Sequence, residues 1–546
     1  MLDADVIVCG LGPTGATAAA LLARRGLRVI ALEQRGDIFP LPRAIGWDHE
    51  TMRILQEIGV IDAVLPFTAP YRPSEYRGVQ GQTIRRIVPA PPPQKFGWQS
   101  NYVFDQPGFE RALRHKLESN EAIEAIYRAT LKSFVQSSDS VTVTFSAEDA
   151  ADQSRTAHFL LACDGGGSPI RKALGVALED LGFDEYWLVV DADVVPEKLA
   201  DLPQTQVQYC EPGRPCSFVI GPGNHRRWEI MLLPGDSLSP DFPEAELWPL
   251  LSRWIAPGDA VIRRAAAYRF HGLVTTKWRR DRVLLLGDAA HMTPPFMSQG
   301  MVQGMRDAHN VAWKIERIVA GKSPVELLDT YGLERRPHVV TVTQAAIKLG
   351  REICERDPAA AELRDQRLLA TAVNGVLPET VRQTLIPPLG HGPLISVTPG
   401  AGELCPQPRV MTSVSMAPRL LDDLSGVCTR LIVLDTLAPM EVRQLTDTLH
   451  AVDGRLVQVV DVLPSAVDVH PPAPPPTLVV EDRENILRSW LQGTGRRFAL
   501  VRPDHYVYGT AGTTAEALEL VSRWATQLCN PIVGDPALEE CRLSNA

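Results

Sequence analysis

The run Gly10-Leu-Gly12-Pro-Thr-Gly15 constrains this chain more than any other stretch. Asp5 to Cys9 before it is apolar and short enough for a buried strand, and Ala16 to Arg25 after it is strongly helix-favouring. A second apolar strand, Leu27 to Leu32, follows and ends in Glu33. Strand, glycine turn, helix, strand and acid in that order make a βαβ unit with the G-x-G-x-x-G fingerprint. Gly10 permits the tight turn, Gly12 lets a pyrophosphate approach the backbone, and Gly15 lets the helix pack on the strand. Pro13 and Thr14 sit at the helix N-terminus, where unpaired N–H groups carry partial positive charge. Glu33, with Gln34 beside it, is placed to accept from ribose hydroxyls. A carboxylate there disfavours a 2′-phosphate, so the site suits FAD or NAD better than NADP.

Two further stretches repeat the theme. Val283 to Leu286 is an apolar run followed by Gly287 and Asp288, then by a loop containing Pro294, Pro295 and Gly300. A helix is expected from near Gly300 through Met301, with Val302, Met305, Ala308, Val311 and Ile315 at helical spacing. A strand, an acid, a glycine loop and a helix start can together hold a polar, partly anionic cofactor. Phe159 to Cys163 is another strand, and it leads into Asp164-Gly165-Gly166-Gly167, which strand context marks as a cofactor-proximal turn. Arg43 follows a loop and reads either as a phosphate or flavin contact or as a solvated arginine. Gln106 stands just ahead of a helix expected from Pro107 to Leu117, as a cap or a ligand contact.

The 546 residues exceed one ordinary core, so two to four domains are expected. A net charge of −10 argues against a nucleic-acid partner. No apolar run approaches the ~20 residues that span a bilayer, and the N-terminus lacks the basic region of a signal peptide. The nine cysteines are scattered, with no Cys-x-x-Cys and no zinc-ligand spacing with His. Reduced thiols, a cytoplasmic location and no structural metal are the expectation. Strands are expected over Trp187 to Val194 and Arg227 to Leu233, and Pro and Gly accumulate from Asn374 to Pro406, marking a boundary. The tail then alternates strands (Leu431 to Leu434, Leu456 to Val462, Phe498 to Val501) with helices (Pro439 to Leu449, Glu484 to Leu491, Thr513 to Leu528), and Pro471 to Pro476 reads as a stiff exposed loop.

The three ordered motifs, with Pro42-Arg43-Ala44-Ile45-Gly46, Gly304-Met-Arg306-Asp307-Ala308 and Val501-Arg-Pro-Asp504, resemble the class A flavoprotein monooxygenases, aromatic hydroxylases of the para-hydroxybenzoate hydroxylase type. Over most of the chain the likeness is closer to bacterial 3-(3-hydroxyphenyl)propionate hydroxylases and related phenol and polyketide hydroxylases. The resemblance implies an α/β fold: a Rossmann-like FAD-binding domain of the glutathione-reductase type, an inserted strand-rich substrate domain, and a thioredoxin-like C-terminal domain without redox cysteines. The implied boundaries are 1–180 and 281–395 for the FAD-binding domain, 181–280 for the substrate domain and 396–546 for the tail. Gly10, Gly12, Gly15 and Glu33 would hold the ADP half of FAD. Arg43 and Gln106 would lie near the isoalloxazine and ribityl chain, Asp288 would bind the ribityl–pyrophosphate link, and Asp164 would serve FAD and NAD(P)H contacts. Pro294 and Pro295 would run beside the flavin, and the helix start at Gly300 would face its N1–C2 carbonyl.

The implied reaction uses NADH or NADPH and O2 to hydroxylate a phenolic substrate, such as a hydroxyphenylpropionate-like acid, through a flavin C4a-hydroperoxide. With no second G-x-G-x-x-G, the nicotinamide would bind transiently to the FAD-binding domain. Arg43 and Pro294, both implied to lie beside the flavin, are counted among the candidate catalytic residues. A group assisting phenol deprotonation is sought among Tyr209, Arg227 and His291, with packing as the competing reading of each. Epoxidation or ring oxidation in a natural-product pathway, and a non-catalytic FAD- or NAD-binding module, are the alternative functions. The tail and the middle strands are candidate interfaces of a homo-oligomer. The loop departs from the family pattern at Met297-Ser298, where many relatives carry glycine; the expectation is added side chains where backbone meets the flavin.

Overall fold

The computed structural model describes residues 2–147, 151–390, 392–415, 417–463 and 477–531. The expected loop Pro471 to Pro476 lies outside the described residues.

A six-stranded sheet carries the glycine turns. Val283–Leu285, Phe159–Ala162, Val6–Cys9, Val29–Glu33 and Ile123–Tyr127 run parallel, and Arg279–Arg280 closes one edge antiparallel. The central strands Val6–Cys9 and Phe159–Ala162 are buried throughout, which is why they read as unbroken apolar runs instead of alternating ones. Their register aligns Leu32, Cys9, Ala162 and Leu285 in one row. The turns after Cys9, Ala162 and Leu285 therefore emerge side by side at the carboxyl edge, where open α/β sheets bind ligands. Helix Pro13–Arg24 lies against helix Gly300–Val319.

The second sheet has nine strands in the order His291–Met292, Ala260–Thr275, Leu178–Val194, His225–Met231, Cys216–Ile220, Gln206–Tyr209, Ser74–Arg77, Thr83–Val88 and Glu379–Val381. It is not one contiguous insertion over 181–280. Two strands come from the chain before that segment, and one comes from each of two places after it. Ser74-Glu-Tyr-Arg77 and Glu379-Thr-Val381 contain too little apolar sequence to announce a strand. One face of this sheet packs a core of Leu188, Val190, Val207, Phe218, Trp228 and Ile230 against helix Glu244–Leu251. The other face is turned toward the glycine turns.

The tail is a mixed five-stranded sheet in the order Thr477–Glu481, Arg455–Val460, Arg430–Leu434, Phe498–Val501, Val507–Ala511. The first three strands are parallel and the last two antiparallel, the thioredoxin-like arrangement. Helices Pro439–His450, Ile486–Gly493 and Thr514–Cys529 cover it near the expected bounds. Its seam with the rest of the molecule is ionic. Arg502 donates to both Glu334 oxygens at 2.9 Å and to Asp504 Oδ2 at 2.6 Å. Asp504 also accepts from Trp313 Nε1 at 3.1 Å, and Lys314 donates to Glu334 at 3.0 Å. All five groups are buried. Burial opposes the charge of Asp504, but Arg502 overrides it and holds the carboxyl down at about 2.

Candidate active site

A cavity of about 330 Å³ opens between the glycine turns and the inner face of the nine-stranded sheet. That volume is typical of small-molecule sites. The wall on the side of the glycine turns is built from Gly12, Pro13, Thr14, Gly165, Asp288, Pro295, Gly300 and Met301, so two helix N-termini, at Pro13 and Gly300, reach the same space. A Cβ on Gly10 would lie 2.4 Å from the Cys163 carbonyl oxygen, and one on Gly15 would lie 1.9 Å from that of Gly10. Both glycines are therefore demanded by backbone packing. Gly12 and Gly165, by contrast, have nothing among the described residues within 4 Å of a notional Cβ, which leaves their backbone open to a ligand.

The donor set fits FAD. Glu33 accepts from Leu11 N at 2.7 Å and from Arg35 N at 2.9 Å, which fixes the carboxylate at the end of the second strand with lone pairs to spare. Gln34 beside it is exposed. Asp164 Oδ2 accepts from Ile170 N, while its Oδ1 is buried without a partner among the described residues. Burial raises the Asp164 pKa, and hydrogen bonds from Ser168 and Ile170 draw it back. Asp288 stands exposed at the cavity lip. Gly287, at φ +58, lies so close to Thr14 that a Cβ would sit 2.6 Å from its Oγ1.

The opposite wall follows from strand alternation. Gln206, Gln208, Ser217, Val219, Arg227, Glu229, Ser74 and Tyr76 point into the cavity, and their neighbours Val207, Tyr209, Phe218 and Trp228 point into the core behind. This corrects Tyr209. Its hydroxyl accepts from Trp254 Nε1 at 3.1 Å on the far face, and it takes no part in the cavity. Arg227 does line the cavity, but every nitrogen is committed. Nε and Nη2 donate to Asp191, and Nη1 and Nη2 donate to the carbonyls of Arg43 and Pro42. Burial opposes the Asp191 charge, yet Arg227, then His225, hold that carboxyl below the usual range. Arg227 is thus a clamp on the Arg43 loop.

Gln106 finishes the clamp. Its Oε1 accepts from Arg43 N at 2.8 Å and Ala44 N at 2.6 Å. It is the first residue of helix Gln106–Glu118 and does not cap it: Asp105 is the cap and accepts from Gly108 N. Arg43 itself is exposed at the cavity, its guanidinium 5.6 Å from the Phe39 ring centroid.

His291 and Pro294 require correction too. Both are buried outside the cavity wall, although Met292, Thr293, Pro295 and Phe296 line it. His291 Nε2 lies 2.7 Å from Asp307 Oδ2, and its ring stacks on Trp278. Asp307 also accepts from Gly287 N and Arg335 Nε, so His291 braces the Gly287 turn. Pro294 starts the 3₁₀ turn Pro295–Met297. That turn ends on Ser298 in the left-handed region, φ 52 and ψ 36, the conformation that favours glycine. Ser298 lines the cavity, whereas Met297 turns into a separate core, against the expectation that both side chains crowd the site. Arg382 Nη2 donates to the Met297 carbonyl and Nη1 to Tyr71 Oη, holding this loop from the other side.

The sequence reading missed a buried ionic stripe on helix Gly300–Val319. Arg306 donates to Glu50 at 2.6 Å, Asp48 at 2.5 Å and Gln299 at 2.7 Å. Polar residues at 306, 307, 309, 310 and 314, on turns shared with the apolar positions 305, 308, 311 and 315, were the available signal. Farther along, Glu57, His309 and His505 bring three ligand-type atoms within 4.8 Å of one another. Arg430 donates to His505 Nδ1 at 2.8 Å, and arginine can only donate, so Nε2 carries the proton and faces Glu57. With Arg25 also on Glu57, this cluster is a hydrogen-bond knot between FAD-binding domain and tail, and its Nε2 lone pair is not available to an ion.

Comparison with known proteins gives a consistent set. A family described as FAD binding domain matches residues 3–346, and one described as HcaD C-terminal domain matches residues 402–527. The chain is 36% identical to a probable NADH-specific resorcinol 4-hydroxylase of Rhodococcus jostii (strain RHA1), over 95% of this chain and 94% of that one. It is 31% identical to a 3-(3-hydroxy-phenyl)propionate/3-hydroxycinnamic acid hydroxylase of Klebsiella pneumoniae (strain 342), over 93% and 92%. Aklavinone-11 hydroxylase, solved with FAD and aklavinone, shares the fold with a TM-score of 0.75 at 20% identity, over 96% and 99%. No helix among the described residues is long and apolar enough to cross a membrane.

Proposed function

The chain belongs to the FAD-binding-domain family and, within it, to the FAD-dependent aromatic hydroxylases, and from that premise we propose that its cavity receives a small, uncharged phenol of the dihydroxybenzene type. One observation carries the substrate class. Arg227 spends four of its five N–H donors on Asp191 and on the carbonyls of Pro42 and Arg43, and Arg382 donates to the Met297 carbonyl and the Tyr71 hydroxyl. What remains facing the cavity is a set suited to hydroxyl groups: Gln208, Ser217, Ser74, Tyr76 and the carboxyl of Glu229. A carboxylate tail buried beside Glu229 would meet a like charge, a costly arrangement. A hydroxyphenylpropionate-like acid is the second reading; the relative named for that substrate favours it, as does exposed Arg43 at the cavity, which could take the tail.

FAD would be held by the Gly10–Gly15 turn, Glu33, Asp164, Asp288 and the helix start at Gly300, and when bound it supplies electron transfer from NAD(P)H and the activation of O2. The chain's residues supply position and shelter. The Arg227–Asp191 pair and Gln106 fix the Arg43–Ala44 backbone at the cavity edge. Phe296 and Met292 give an apolar side that keeps water from the reacting ring. NADH is the proposed reductant, by analogy with the R. jostii relative.

The test is NADH and NADPH oxidation by purified flavoprotein, stimulated by resorcinol, phenol and 3-(3-hydroxyphenyl)propionate, with product mass after turnover under ¹⁸O₂. The expected result is strongest coupled stimulation by resorcinol with one labelled oxygen in the product. Stimulation without label, or only by the propionate, would overturn the reading or its substrate class respectively.

A further inference from the structure

We propose that Glu229 is the catalytic residue that takes the proton from the substrate's phenolic hydroxyl, an inference that rests on the hydroxylase reading above. Strand parity puts it on the cavity side. In the register of the sheet, Glu229 pairs with Ser217, Ser217 with Gln208 and Gln208 with Tyr76, so the four form one row across four strands along the inner wall.

Within that row one side-chain hydrogen bond is made, and it does not involve Glu229. Ser217 Oγ donates to Gln208 Oε1 at 2.5 Å. Asp191, the other acid on this face, is saturated by Arg227 and His225. The Glu229 carboxylate receives no hydrogen bond from any described residue, and its nearest cation, Arg227 Nη1, is 3.7 Å away and already donating to the Arg43 carbonyl. A buried carboxylate facing a cavity without a donor of its own is a feature to be explained by what enters the cavity. A phenolic O–H is the donor it lacks.

The charged groups facing Glu229 are Arg227 on its own strand, Asp191 on Leu178–Val194 and Arg264 on Ala260–Thr275. Burial lifts its pKa above the ordinary carboxylate range; Arg227 and Arg264 draw it down, and Asp191 adds to the lift. A carboxylate raised in this way is a better proton acceptor near neutral pH than an ordinary one. The proton balance is closed. As the ring carbon forms its new C–O bond, the O–O bond of the dioxygen that bound FAD would have reduced with two electrons from NAD(P)H breaks, and the other oxygen leaves as water on taking up protons; the phenolic O–H bond breaks, its electron pair becomes part of a ring carbonyl, and the proton forms an O–H bond on Glu229. The ring carbon then loses its hydrogen to water as H⁺, aromaticity returns, and Glu229 gives its proton back to the carbonyl oxygen.

The experiment compares FAD-loaded wild type, Glu229→Gln and Glu229→Asp. With resorcinol, Glu229→Gln should bind within about threefold of wild type by tryptophan fluorescence, while kcat falls roughly 100-fold or more. The rise of kcat with pH through the carboxyl's titration should vanish in Glu229→Gln and survive in Glu229→Asp. A readout without turnover is the titration of bound 4-nitrophenol, whose phenolate absorbs in the visible. An ionised Glu229 keeps the ligand protonated, so its apparent pKa should be higher on wild type than on Glu229→Gln. An unchanged pH limb and an unchanged nitrophenol pKa in Glu229→Gln would overturn the proposal. So would an equal loss of thermal stability and FAD occupancy with the limb intact, which would make Glu229 a brace for Arg227. If no phenol stimulates wild type, the hydroxylase reading itself falls and takes the proposal with it.

Discussion

Gly304→Ala is the sharpest test of how the cofactor side is assembled. Gly304 lies in the first turns of helix Gly300–Val319. Alanine is favoured over glycine in a helix interior by about 1 kcal/mol, so intrinsic propensity alone predicts a stabilised protein. The packing predicts the reverse. The new Cβ would lie 2.1 Å from Thr14 Oγ1 and 3.0 Å from Gly287 Cα. Thr14 can rotate away, but Gly287 is backbone held at φ +58 with its N–H on Asp307. Overpacking of this kind costs about 1–3 kcal/mol, which offsets the propensity gain and leaves a net loss of roughly 0–2 kcal/mol. The displacement falls on the Gly12–Thr14 and Gly287–Asp288 turns together, so FAD affinity should drop about tenfold, equivalent to about 1.4 kcal/mol. The assay is titration of apoprotein with FAD by quenching of flavin fluorescence, alongside thermal unfolding with and without FAD. Gly493→Ala, in a helix position with nothing within 4 Å, is the control and should be neutral or stabilising. A Gly304→Ala protein that binds FAD within about twofold of wild type and melts no lower would refute the close approach as the feature that seats this helix.

Three further outcomes are expected. Ser298→Gly relieves left-handed backbone worth about 1–2 kcal/mol and gives back roughly 0.5–1 kcal/mol of unfolded-state entropy, so stability should hold or rise slightly; flavin reduction or coupling should change more than FAD affinity, and a change confined to FAD affinity would contradict this. Tyr209→Phe should cost about 1 kcal/mol of stability through the lost Trp254 hydrogen bond and leave kcat untouched; a large fall in kcat would return Tyr209 to the reacting ring. His505 is pushed by burial, and then by Arg53, from an ordinary 6.5 to about 4, with Asp422 and Glu57 opposing. The unfolded chain takes up that proton first, so its contribution is complete above pH 6.5 and is lost as pH falls toward 4, on the order of 1–3 kcal/mol. Denaturant melts from pH 7 to 4 should show a shallower decline in His505→Gln, and parallel declines would remove His505 as the cause.

The cofactor half of the molecule was legible because glycine turns are local demands. The 2.4 Å and 1.9 Å approaches at Gly10 and Gly15 leave those positions no alternative residue, and a buried parallel strand has to read as an apolar run. The substrate wall was less legible because its edge strands come from distant, polar segments whose pairing only the assembled sheet defines. Face assignment, however, was within reach. Val207, Phe218 and Trp228 share one parity with Tyr209, while Gln206, Gln208, Ser217 and Glu229 share the other. Parity alone moves Tyr209 to the core and brings Glu229 forward. His291 misled because adjacency to Gly287-Asp288 in sequence suggested adjacency to the ring; its partner Asp307 is supplied by a helix residue sixteen positions on.

The ionic seam bears on how this chain can be recombined. Glu334, Lys314 and Trp313 on one side are matched to Arg502 and Asp504 on the other, and Glu57 and Arg53 to His505 and Asp422. A tail grafted from a relative that lacks any one of these would seal an uncompensated charge into the joint, a loss of about 3–5 kcal/mol. Crossover points for chimeras therefore belong inside a domain, with both halves of the seam inherited from one parent, and not in the Pro/Gly-rich connection where sequence alone would place the cut.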